Sequence, residues 1–249
     1  MPYPPTAGGP QSLVDSAVAH ATKIPAPRIA AHVRSLRRRN PNASPERIIE
    51  ILGSELHTIL ASTGGAVGAT AAVPGVGSGT ALALTAADLA AFFGAAGFYS
   101  LAVAEVHGIH IHDAHRRKTL VLASVLGEAG AKTVVGMSGG SMTHWAKALS
   151  TAVPSSSIKQ VNRVLSSRFV KRYFFRQGGV VVGRLIPFGV GAVVGIVGGR
   201  ALAHTVIHQS AKAFGPPPAK FTSPLIEEIE GQSSSAPADV PLLGVASPM

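Results

Sequence analysis

Four histidines within nine residues, His107, His110, His112 and His115, form an H-x2-H-x-H-x2-H cluster with Glu105 and Asp113 beside it. Neutral imidazole and carboxylate suit zinc or nickel, so this cluster is the candidate metal site of the chain. Imidazoles also titrate near neutral pH, which makes a pH-sensing surface the other chemistry open to it. The plain alternative is a solvated polar turn between two helices, since consecutive residues of a short turn rarely converge on one ion. A second pair, His204 and His208, steps by four in a row with Arg200 and Lys212. No Glu follows the first of them, so the H-E-x-x-H metalloprotease pattern is absent and the row reads as a basic helix face.

Catalytic patterns are fewer. Gly136-Met137-Ser138-Gly139-Gly140 fits the G-x-S-x-G nucleophile pattern, and Val134-Val135 hints at the strand that should precede it. That arrangement needs an acid and then a histidine downstream, yet the first acid after Ser138 is Glu227 and no histidine follows it. A serine hydrolase or peptidase is therefore disfavoured, and no catalytic residue is assigned. Gly127 to Thr133 is two residues short of a phosphate-binding loop, and Gly75, Gly77 and Gly79 miss the dinucleotide spacing, so no cofactor is expected.

Asp88 poses a different question. It is the sole Asp, Glu, Lys or Arg between Leu56 and Ala104, and a carboxylate among apolar helix faces costs several kcal/mol unless it is paired or lines a polar cavity. Its expected partners are Arg184 and Arg200, in a buried pair that fixes helix register. An ion or proton site is the alternative, disfavoured because no second buried acid is at hand to build a relay.

The cations point to a surface. Residues 129–226 carry twelve Lys and Arg and no Asp or Glu, while the first 128 residues carry ten against eight. A stretch without carboxylates cannot neutralise itself, so it stays solvated or faces polyanions. Arg168, Lys171, Arg172, Tyr173 and Arg176 mix cations with rings in the manner of an interfacial membrane anchor, and are the expected lipid contacts. Nucleic acid is disfavoured because no DNA- or RNA-reading motif accompanies them.

The elements that must carry these residues are helical. The 249 residues are 46% apolar, 14% charged and 5% aromatic, with no cysteine, so the interior is built from small aliphatic side chains without disulfides or thiolate-bound metal. Ile29, Val33 and Leu36 form one helical stripe; Ser44-Pro45-Glu46 is a helix start, with a side-chain cap, proline at the first position and an acid in the first turn. The uncharged run from Leu56 to Ala104 is split by Pro74 to Gly79 into two arms, each near the length that crosses a bilayer core, which predicts an apolar helical hairpin. Asp113 is a cap for the helix that follows the histidine turn. Lys132 to Val135 reads as a short segment before a glycine-rich loop, and Gly178 to Gly199 as an apolar unit ahead of a separate final helix, Arg200 to Phe214. Gly191, Gly195 and Gly199 lie four apart, and Gly64 and Gly68 repeat that spacing, which lets helix backbones approach closely. Residues 1–10 and the Pro/Ser-rich 215–249 read as disordered, leaving one domain over 11–214.

Gly64-Gly65-x-x-Gly68, Pro74-Gly75-x-Gly77, Asp88, the Gly108 to Asp113 turn and Ile186-Pro187-Phe188-Gly189-x-Gly191 come in an order and spacing that resembles the EcsC family of bacterial helical proteins, over roughly residues 56 to 214. Family members usually carry Tyr before the glycine of the turn, where His107 stands here. The resemblance implies an all-helical, membrane-associated protein without defined biochemistry. Together these readings predict an all-α multi-helix bundle with a glycine-rich hairpin at its centre. It would be a non-enzymatic protein on the cytoplasmic side of the cell membrane, with an anionic membrane surface as partner and a protein partner as a further option. A soluble bundle that uses its histidines for metal or pH sensing is the rival.

Overall fold

A computed structural model describes residues 10–71, 78–138, 144–151, 154–177 and 190–222. Among them every regular element is an α-helix: α1 Pro10–Thr22, α2 Ala26–Arg39, α3 Pro45–Ala71, α4 Ser78–Val106, α5 Ala114–Leu126, α6 Glu128–Ser138, α7 Trp145–Thr151, α8 Ser155–Gln177 and α9 Val190–Phe214. The local signals explain several ends. Ser44 Oγ accepts the Arg47 backbone N–H at 3.2 Å at the start of α3, and Asp113 Oδ1 accepts that of Arg116 at 2.8 Å at the start of α5. Gly127 and Gly215, with φ of +69° and +81°, take the left-handed conformations that close α5 and α9.

The core is wound around α4 and α5, which are buried on several sides. Leu89, Phe93, Ala96, Tyr99 and Val103 of α4 are buried against α1, α2, α3, α5 and α9. Phe93 meets Phe92 and the α8 residue Phe169 edge to face, at 5.2 and 4.9 Å between centroids. On α5 the consecutive Leu120, Val121, Leu122 and Ala123 are all solvent-free, so that helix has no wet side over this turn. Ile158, Val161 and Leu165 supply the matching stripe of α8.

The tightest packing joins α3 to α9. A methyl group built on Gly195 would stand 2.6 Å from the carbonyl carbon of Gly64, and one on Gly199 would stand 2.6 Å from that of Leu60. Gly53 faces Ile207 further along. Partners fall on α9 as they rise on α3, so the helices are antiparallel, with backbones in direct contact that only glycine permits. Gly68 and Gly191 lie in these same two helices.

Three expectations change. The apolar unit and the final helix are not separate: α9 runs unbroken from Val190 through Gly199 to Phe214, because each glycine is supported by α3 instead of breaking the helix. Lys132 to Val135 is not a short segment but the middle of α6, which reaches Ser138. Beyond Gly215 the chain still lies on the bundle as far as Thr222: Phe221 packs against the core under the Arg37 guanidinium, 4.1 Å from its ring centre. Residues 1–9, 72–77, 139–143, 152–153, 178–189 (with Arg184 and the first part of the expected apolar unit) and 223–249 lie outside the described residues.

Candidate functional site

Antiparallel packing brings the C-terminal half of α3 and the N-terminal halves of α4 and α9 to one end of the bundle. From Leu56 to Ala71 and from Val190 to Gly199 there is no Asp, Glu, Lys or Arg, and α4 adds only Asp88 before Glu105. Water-exposed aliphatic side chains occur here: Val193 and Val197 are 60% and 61% exposed and Ile59 is 45% exposed, while Leu202, also 45% exposed, lies just beyond Arg200. Ala66, Ala83 and Ala87 are also exposed on α3 and α4. Val193 and Val197, four apart, share one face of α9. Further along α9 the same helix presents Arg200, His204, His208 and Lys212, all exposed, with the two imidazoles stacked at 6.2 Å. The outer surface of α9 thus carries no charged side chain from Val190 to Gly199 and gains Arg200 and Lys212 beyond it, with the exposed Leu202 between them.

One helical segment among the described residues, Thr85–Val106, is long and apolar enough to cross a membrane, and two-thirds of it is buried within the protein. The arm on α3 does not reach that standard. The α4 segment spends its apolar surface on neighbouring helices.

The residues singled out by sequence fare differently. Asp88 is half-buried on α4 and Arg200 is exposed on α9; Arg184, the other expected partner, lies outside the described residues. The four histidines do not converge. His107 turns inward, its Nδ1–H donating to Val103 O at 2.9 Å and its ring against Phe214, while its Nε2 is buried without a partner. His110 and His112 stack on the outside at 6.2 Å, His110 lies 3.8 Å from Glu105, and His115 is exposed on α5. Among the described residues no three His, Asp or Glu side chains come together as a metal site would need, because Gly108 turns the chain and splits the cluster between inside and outside.

On α8, Arg168, Lys171 and Arg172 are exposed, but two of them also hold the bundle. Arg168 donates to Thr133 Oγ1 at 2.7 Å and to Ala129 O at 3.3 Å. Arg172 donates to Leu126 O at 3.1 Å, where a cation meets the negative end of α5. Tyr173 and Arg176 continue the same helix. Ser138 ends α6, so the residues before it are helical and the strand that a nucleophile elbow requires is absent there.

Two groupings had no sequence signal. Asp15 on α1 accepts from Lys118 Nζ and Ser166 Oγ, both at 2.9 Å, and from Gln11 Nε2 at 3.0 Å. Burial raises its pKa, but the hydrogen bonds from Lys118, Gln11 and Ser166 with the Lys118 charge outweigh that, and the carboxyl sits below its ordinary value. The other is a cavity of about 600 Å³ between α2, α3 and α4, where His32 Nε2 lies 2.7 Å from Glu55 Oε2. Tyr99 lines it, and desolvation pushes the phenol pKa well up. His32 and Glu55 are 23 residues apart on different helices, and no spacing rule links them.

No family model, curated protein or solved structure matches this chain.

Proposed function

We propose that this chain is a non-enzymatic helical protein of the cytoplasmic membrane surface, acting through lipid or protein contacts. The uncharged end of α3, α4 and α9 would seat in the headgroup boundary. The observation that carries this reading is the exposure of Val193, Val197 and Ile59 on two stretches, Leu56 to Ala71 and Val190 to Gly199, that hold no Asp, Glu, Lys or Arg. A soluble surface rarely gathers aliphatic side chains without charge between them. The carboxylate-free stretch 129–226 supplies the second signal, attraction to anionic headgroups at roughly 1 kcal/mol per cation near the surface. Apolar seating and charge act together, as they do for interfacial helices. Arg200, one turn from Val197, is placed to reach phosphate with its apolar stem along the boundary. The resemblance to the EcsC family supports the same assignment. A peripheral position fits better than a span, since the one sufficiently long apolar segment is mostly covered by protein.

Flotation with vesicles tests the reading. The wild-type chain is expected to float with vesicles rich in anionic lipid and much less with purely zwitterionic ones. The double variant Val193→Asp, Val197→Asp should lose at least about tenfold in vesicle affinity, given the cost of placing carboxylates in lipid, with its helical circular dichroism intact. A wild-type chain that stays in the aqueous fraction with both lipids contradicts the proposal.

A further inference from the structure

The cavity between α2, α3 and α4 has the size of a small-ligand site. Its long wall is α3 from Arg47 to Ile59, a distance of about 18 Å at helical rise. Leu52, Leu56, Ala95 and Phe98 give it apolar sides. Its charges are few and can be assigned. Arg47 is held by Glu50 at 2.7 Å, which cancels both. Glu55 Oε2 has His32 Nε2 at 2.7 Å as its partner among the described residues. Counted with histidine neutral, as in the formal net charge of +10 for the chain, the lining holds one Arg against two Glu, a formal charge of −1. Three rings line the space: His32 stands edge-on to Phe98 at 5.2 Å, and Tyr99 joins them in the wall.

Apolar walls, aromatic rings and an excess of carboxylates over fixed cations favour a cation with a hydrocarbon body, because ring faces and carboxylates both attract positive charge. An anion would meet Glu55 with Arg47 already engaged by Glu50. A neutral chain would leave Glu55 unused. We infer that this cavity binds a hydrophobic organic cation of the alkylammonium class, its head at Glu55 and its chain along α3 toward Ile59. The inference goes beyond the lipid reading and does not depend on it, since binding is measured in solution without vesicles.

Calorimetric titration of the full chain with dodecyltrimethylammonium, below its micelle threshold and with near-ultraviolet circular dichroism as a check on folding, tests it. Saturable one-to-one binding is expected, with dodecanoate about tenfold weaker or more. Glu55→Gln should weaken the ammonium by about fivefold to tenfold and narrow the preference over dodecanoate. Ser54→Trp, placed at the exposed mouth, should block both probes. Absence of saturable binding to the folded wild type, equal affinity for dodecanoate, or an unchanged Glu55→Gln variant overturns the inference. The Val193→Asp, Val197→Asp variant should retain ammonium binding, so failure of this proposal and failure of the lipid reading give different results.

Discussion

Asp15 joins three helices through one carboxylate, with Lys118 from α5 and Ser166 from α8 as donors. Its ionised form is favoured in the folded state, so its contribution is present above the unfolded pKa near 3.8 and fades as pH falls through the lower folded value. Asp15→Asn should cost about 1 to 2 kcal/mol in urea unfolding at pH 7, a figure reduced for partial exposure. The difference from wild type should shrink below about pH 4; a constant gap across that range would contradict the assignment. Nothing in the sequence marks Asp15, because Lys118 and Ser166 are 103 and 151 residues away. Ser44 and Asp113, by contrast, are readable at once: a cap acts on a backbone N–H three residues ahead. The histidine cluster misleads for a related reason. Its spacing is local, but the direction of each ring is set by Gly108 and by Phe214 from a distant helix.

At the scale of elements, the seam between α3 and α9 depends on which glycines meet carbonyls and which meet nothing. Gly199→Ala would press a methyl on the Leu60 carbonyl and should destabilise the fold by about 1 to 3 kcal/mol. Gly198, its neighbour, has no atom within 4 Å of the added methyl, so Gly198→Ala should stabilise α9 by about 0.5 to 1 kcal/mol. Thermal unfolding of the two variants separates them by sign, and equal shifts would show that the seam is not closely packed. Four-residue glycine spacing is visible in the chain, but its partner is not, and a glycine-rich stretch looks like a helix breaker until a neighbouring backbone supports it. That is why α9 reads as two units and proves to be one. The helix starts at Pro45 and after Asp113, and the apolar stripes of α2 and α8, need no such partner and are legible directly.

Across the whole molecule, charge is distributed unevenly along the chain, with one charged side chain, Asp88, between Leu56 and Ala104 and no carboxylate over 129–226. The helical class and the uncharged middle follow from the sequence, since period and composition are local properties. What periodicity cannot tell is which apolar faces find protein and which are left outside: most of α4 is covered, whereas Val193, Val197, Ile59 and Leu202 are not. The most direct test of their role uses the absence of cysteine from the chain. A single Val197→Cys, labelled with a polarity-sensitive fluorophore, should shift to the blue and resist aqueous quenchers when anionic vesicles are added, while the same label at Arg38→Cys on α2 should stay in water. An unchanged spectrum at position 197, or equal shifts at both positions, would contradict the account of this end of the bundle as its lipid-contacting surface.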